Sequence, residues 1–132
     1  MLVRSLLHGR GFRYRLHSKD LPGKPDVVMP KYNAIVLVHG CFWHRHTCHL
    51  FKWPSSNVQF WKLKINRNAK RDKKIQSDLV SLGWRIATVW ECAIKGRNRI
   101  SDRALEKSLE KWIKGTRKSL EIRGRTKRYS IR

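Results

Sequence analysis

Residues 39 to 49 read His-Gly-Cys-Phe-Trp-His-Arg-His-Thr-Cys-His, and this stretch constrains the fold more than any other in the chain. It holds four of the six histidines and two of the three cysteines, with two adjacent aromatics among them, a mixture no apolar core requires. Neutral imidazole and thiolate are preferred ligands of Zn²⁺, and a closed tetrahedral set of four is the usual structural arrangement. Cys41, His46 and Cys48 can wrap one ion from a single loop, and Cys92, which follows a separate apolar run, can close the shell from across the fold. His44 and His49 are rival ligands, because spacing alone does not choose among the histidines. The plainer alternative, cysteines as small buried apolar groups, does not account for two of them bracketing the histidines.

Charge narrows the class of partner. Lys and Arg number 31 against 9 acids, a formal net charge of +22 in 132 residues. Self-repulsion on that scale is a standing cost to the compact state, and an anionic partner, most commonly nucleic acid, explains it. Six tryptophans strengthen that reading, because flat π faces beside cations suit base stacking and insertion between base pairs. A ribosome-associated basic protein would explain the charge but not the Cys and His spacing. No stretch approaches the ~20 apolar residues of a membrane span, and the start lacks the pattern of a signal peptide, so a cytoplasmic location is expected. An odd cysteine count agrees with a reducing compartment.

The length suits one domain, expected over residues 1–115, with a basic, flexible tail over 116–132. Leu2, Val3, Leu6 and Leu7 fall at helical spacing, already mid-pattern at Met1, so the first helix reads as truncated. Residues 12–16 alternate as a strand would, and a Pro-Gly turn follows. Asp26 to Met29 and Ala34 to Val38 read as two paired strands, the second delivering His39 at its end. Residues 57–82 read as a helix capped by Ser55 or Ser56 and broken near Asn66 to Asn68, with Val58, Trp61, Ile65, Ile75, Leu79 and Leu82 on its apolar face. A buried strand over 84–90 and a helix over 102–114, capped by Ser101, complete the pattern.

Only Asp20 and Asp26 are acidic before residue 70. Phosphodiester hydrolysis in a basic groove needs a carboxylate to hold Mg²⁺ and a base to take a proton from the attacking water. Asp26, opening a strand whose neighbour delivers the histidine cluster, is the best candidate.

The motifs Leu21-Pro-Gly-Lys-Pro-Asp26, His39-Gly-Cys-Phe-Trp-His44, His46-Thr-Cys48, Phe60-Trp61, Asn68 through Asp72, and Val89-Trp-Glu-Cys-Ala93 resemble those of the very short patch repair endonucleases, bacterial enzymes that nick DNA at a T·G mismatch. The resemblance runs from about Leu2 to Gly115. It implies an α/β, restriction-endonuclease-like fold, a central mixed sheet flanked by helices, with a zinc-binding loop. By the same resemblance Asp26 binds Mg²⁺ together with the main-chain carbonyl of Val38, His44 is the general base or acid, His39 lies in the same site and Asp72 orients His44. Cys41, His46, Cys48 and Cys92 match the structural zinc ligands. Phe42, Trp43 and Trp61 match aromatics that wedge into the duplex, with Asn68 also at the DNA; packing of the zinc loop is the competing role for Trp61. The family has Thr at the position of Val38, a change that leaves the carbonyl in place. Its N-terminal helical segment, with an acidic residue near the metal, would precede Met1.

The expected activity is Mg²⁺-dependent nicking beside the mispaired T, leaving 5′-phosphate and 3′-hydroxyl ends, by a monomer whose partners are mismatched double-stranded DNA and mismatch-repair proteins at the bacterial nucleoid. The alternative is a zinc-containing module that binds mismatches without cutting.

Overall fold

The structure, a computed structural model, describes residues 2–46, Cys48 and 50–125. The elements in order are α1 (Leu2–Gly9), β1 (Arg15–Leu16), β2 (Val27–Met29), β3 (Ala34–His39), α2 (Val58–Ser81), β4 (Arg85–Trp90), α3 (Glu91–Ile94), α4 (Asp102–Lys114) and β5 (Ser119–Ile122). A tight turn at Pro30–Tyr32, closed by Asn33 in the left-handed conformation, reverses the chain between β2 and β3. The five strands lie in sequence order in one mixed sheet: β1, β2 and β3 pair antiparallel, whereas β3, β4 and β5 pair parallel. Parallel neighbours need a crossover, and α2 and α4 supply the two.

Alternation along the strands builds two cores. Val27, Met29, Ala34, Val36, Ala87 and Val89 face one way and pack with Val3 and Leu7 of α1 and Leu105, Leu109, Trp112 and Ile113 of α4. Val28, Ile35, Leu37 and Ile86 face the other way, onto Leu79 and Ile75 of α2. The fold is thus mixed α/β with helices on both faces of the sheet. Ser101 caps α4 as its sequence requires, accepting the Ala104 N–H at 3.1 Å. The opposite end of α4 is held by Arg85, whose guanidinium donates to Trp112 O at 2.9 Å and Ile113 O at 2.7 Å and lies over the Trp112 ring. A cation there complements the carbonyl end of the helix.

Several expectations are corrected. The tail does not begin at residue 116: Ser119–Ile122 is an edge strand paired in parallel with β4, and Ile122 is buried. Its four residues carry a period-2 alternation, Leu120 and Ile122 inward, that the surrounding Lys and Arg obscure. Residues 126–132 lie outside the described residues. Helix α2 is unbroken through Asn66 to Asn68, because the Asn68 amide bonds to a neighbouring loop instead of competing for its own backbone. Asn57, in the left-handed conformation, precedes that helix in place of a capping Ser55 or Ser56. Leu82 lies past the helix end and is 61% exposed, and Val58 in its first turn is also exposed, so neither joins the apolar face. Of the alternating residues 12–16 only Arg15–Leu16 pair as strand, while Phe12 is drawn into the core. No helix among the described residues is long and apolar enough to cross a membrane.

Candidate active site and metal centre

Strands β3 and β4 run in parallel register, pairing His39 with Trp90, so the loops that follow them emerge side by side. After β3 the chain coils tightly: His44 N donates to Gly40 O at 3.2 Å and His46 N to Cys41 O at 2.9 Å. After β4 it enters α3, which places Cys92 two residues beyond the end of the strand. Cys41, His46, Cys48 and Cys92 therefore converge, with one ligand atom from each lying within 4.8 Å of the others. His46 presents Nδ1, which is 3.4 Å from Cys41 Sγ and 3.6 Å from Cys92 Sγ.

Backbone N–H groups converge on the sulfurs. Cys92 N donates to Cys41 Sγ at 3.3 Å, Leu50 N to Cys48 Sγ at 3.4 Å and Gly124 N to Cys92 Sγ at 3.2 Å. Gly124 must be glycine: a Cβ would meet Cys92 O at 2.4 Å and Asn98 O at 2.8 Å. Burial, before any other cause, pushes the Cys41 and Cys92 thiols up and the His46 imidazole down to about 4. Three sulfurs and one imidazole in a closed, mostly buried pocket are a soft tetrahedral donor set, which suits zinc. A bound cation would hold such thiols as thiolates despite their burial. His44 does not belong to this set. His49 lies outside the described residues.

A second cluster sits beside the first. His39, at the end of β3, is 8% exposed, and its ring stacks on that of His44 with centroids 3.9 Å apart. Asp72, from the middle of α2, is hydrogen-bonded to His44 Nδ1. Burial, then the proximity of His44, depresses His39 to about 4, with Asp72 acting in the opposite sense; His39 is therefore neutral at neutral pH. Asp26 immediately precedes β2, and its Oδ2 accepts the N–H of Val38 at 2.8 Å. Asp26, Val38, His39, His44 and Asp72 all line one cavity of about 210 Å³, whose remaining wall includes Gly23, Lys24 and Ile75. Gly23 has a φ of +75°, and a Cβ on it would lie 2.5 Å from the Ile75 side chain, so glycine is needed both for the turn and for the approach of α2.

The aromatics form a third feature. Phe42, Trp43 and Trp61 meet edge to face, with centroids 5.2 to 5.9 Å apart. Trp43 is 46% exposed, whereas Phe42 and Trp61 are half-buried beneath it. Asn68 Nδ2 donates to Trp43 O at 3.3 Å, so Asn68 holds the backbone of the most exposed of these three rings. Lys64 lies over the Trp43 ring, and Phe60, Leu63, Arg67 and Arg71 continue the same exposed stripe along α2.

Sequence reasoning did not single out Lys24, Trp90, Glu121 or Gly124. Lys24 adjoins Asp26 in the Pro-Gly-Lys-Pro-Asp motif. Trp90 lies in the Val89-Trp-Glu-Cys-Ala93 motif and pairs with His39 across β3 and β4, whereas Glu121 and Gly124 carry no local signal, since they reach the sites only through β4 pairing with β5.

A carboxylate and an acid-paired histidine gathered at strand ends, on a strongly basic chain, suit a nuclease-type enzyme. Comparison with known proteins sharpens this. The model of a family described as DNA mismatch endonuclease Vsr matches residues 1–50. The chain is 47% identical over 118 residues to the DNA mismatch endonuclease Vsr of Escherichia coli, covering 89% of this chain and 76% of that protein. It is 49% identical over 92 residues to the type II nicking enzyme V.XorIIP of Xanthomonas oryzae, covering 70% and 68% respectively. A third relative, the type II nicking enzyme V.NmeAIP of Neisseria meningitidis, is 44% identical over 97 residues, 74% of this chain and 69% of its own length. The chain belongs to the Vsr family of DNA mismatch endonucleases.

Proposed function

We propose that this protein nicks one strand of double-stranded DNA beside the mispaired T of a T·G mismatch, by Mg²⁺-dependent hydrolysis leaving 5′-phosphate and 3′-hydroxyl ends. The observation that carries the reading is the single cavity shared by Asp26, Val38, His39, His44 and Asp72. On this reading the five-stranded mixed sheet belongs to a restriction-endonuclease-like fold, and the enzyme acts in the cytoplasm, at the nucleoid, as a monomer alongside mismatch-repair proteins.

The donors fit the cation. Magnesium prefers hard oxygen ligands and keeps several waters; the Asp26 carboxylate and the Val38 carbonyl provide two such oxygens, whereas the sulfur-rich cluster provides none. Magnesium held there would neutralise charge on the scissile phosphate. The hydrogen bond from Val38 N–H fixes Asp26 through one oxygen and leaves the other for this role. Asp72 accepts the Nδ1–H of His44, which leaves Nε2 as the basic nitrogen to take a proton from water or return one to the leaving oxygen. Lys24, on the same cavity wall, adds a cation facing the phosphate. Trp43, exposed and backed by Phe42 and Trp61, is the wedge that enters where stacking is already weak. The zinc ligands hold the loop that carries both His44 and Trp43.

The test is a nicking assay on a labelled T·G duplex, with and without Mg²⁺. Asp26→Asn removes the charge that binds the cation, and His44→Ala removes the proton-transfer group, worth ~10²–10⁴-fold. Nicking is expected to collapse in both while mismatch binding persists. A wild-type chain that binds T·G duplex but nicks it at no Mg²⁺ concentration would instead establish the non-cutting mismatch-binding module.

A further inference from the structure

The sulfur cluster and the catalytic histidines are joined by a continuous chain of ring contacts, stacked at His46–Trp90 and His39–His44 and edge to face between. His46, a ligand of the buried cluster, lies face to face with Trp90, centroids 4.0 Å apart and planes 8° from parallel. The other neighbours of Trp90 are catalytic-site rings: His39 meets it edge to face at 5.3 Å and His44 at 6.3 Å. His39 in turn stacks on His44, within 5° of parallel. The indole N–H of Trp90 donates to Glu121 Oε1 at 2.9 Å, which ties the stack to the edge strand β5.

Hydrogen bonds that ordinarily orient such imidazoles are missing here. A metal-ligating histidine is usually fixed by a hydrogen bond on its second ring nitrogen. His46 Nε2 and His39 Nδ1 are both buried, and neither has a hydrogen-bond partner among the described residues. Beyond the contacts of His46 Nδ1 with the sulfurs, ring packing orients both imidazoles, and Trp90 is the ring common to both. The indole is fixed in its own plane by Glu121.

We propose that Trp90, held by Glu121, is a positioning residue for the His44–Asp72 pair, transmitting the rigidity of the sulfur cluster to the catalytic site. This rests on the assignment of His44 as the proton-transfer group. Neither Trp90 nor Glu121 need touch the reacting atoms. Their contribution is alignment, and misplacement of a catalytic group by about 1 Å can cost on the order of 10²-fold.

Four variants test it, read by metal content, duplex affinity, single-turnover nicking and the imidazole proton resonances. Trp90→Leu is expected to slow nicking on the order of 10²-fold while metal content and duplex affinity hold, and Trp90→Phe, which keeps a flat ring, is expected to recover most of the rate. Glu121→Ala, on the exposed edge, is expected to lose about tenfold, a partial misplacement, and to shift the His39 and His44 resonances. Glu121→Gln retains a carbonyl acceptor for the indole and is expected to restore both. If Trp90→Leu loses its metal, the Glu121 pair decides. Metal-replete Glu121→Ala that nicks at the wild-type rate with unmoved imidazole resonances overturns the proposal. His44→Ala nicking at the wild-type rate would refute the assignment of His44 instead, a failure separable from that of the ring contacts because the resonances report them without catalysis.

Discussion

The Cys41, His46, Cys48 and Cys92 cluster and the His39, His44 and Asp72 cluster lie at the same end of the sheet and share a loop, yet they differ in donor chemistry and enclosure. The first is rich in sulfur, three of its four members are buried, and backbone N–H groups converge on it. The second pairs imidazole with carboxylate, and its His44 and Asp72 are only half-buried on the wall of a cavity that Asp26 and Lys24 also line. A site that must hold an ion for the life of the fold saturates its ligands and excludes solvent. One that must admit a phosphate and a water leaves room and keeps a proton acceptor accessible. On the proposed reading the first cluster serves stability and the second turnover, a division that variants of either cluster would break.

The largest effect is expected from Cys92→Ala. Structural zinc binding is folding free energy, with apparent values on the order of 10 kcal/mol in small zinc domains, and this variant removes the one ligand that ties the loop to the end of β4. Metal analysis should show zinc lost, and thermal unfolding should move to much lower temperature. Full zinc retention, or an unchanged melting temperature, would abolish the contrast between the two clusters.

A smaller and purely catalytic effect is expected from Asp72→Asn. The amide keeps the shape but no longer fixes the His44 tautomer or stabilises its protonated form, so single-turnover nicking should fall by roughly 10²-fold, within the range for general acid–base groups. Zinc content and duplex affinity should be unchanged. Loss of zinc in this variant would show that the clusters are one structural unit.

The smallest effect is expected from Trp43→Ala. The ring is exposed, and its removal leaves Phe42, Trp61 and the basic face of α2 in place, so non-specific binding should survive with its steep salt dependence. Preference for T·G over fully paired duplex should fall, by about 1–3 kcal/mol if stacking of one ring is what is lost. Competition between the two duplexes measures it, and equal weakening on both would reassign Trp43 to packing.

The sequence alone determined the ligand types, the strand pair that delivers His39, the capped helix α4 and the presence of one carboxylate suited to a cation. All of these are written in local spacing: Cys and His within one loop, apolar alternation over a few residues, Ser101 ahead of an amphipathic stripe. Ligand chemistry added Cys92 from across the fold, and motif resemblance extended the list to the catalytic roles of His44 and Asp72, which lie far apart in the chain. The tertiary structure supplied the physical reason that His44 stays out of the sulfur cluster: the turn after Gly40 directs His46 toward Cys92 and His44 toward Asp72. It alone placed β5 against β4, bringing Gly124 to the Cys92 sulfur and Glu121 to Trp90 through a segment whose composition reads as a basic tail. Composition records how many charges a segment carries. Strand pairing depends on which two or three of its residues alternate inward, and on a neighbouring edge that only the folded sheet provides.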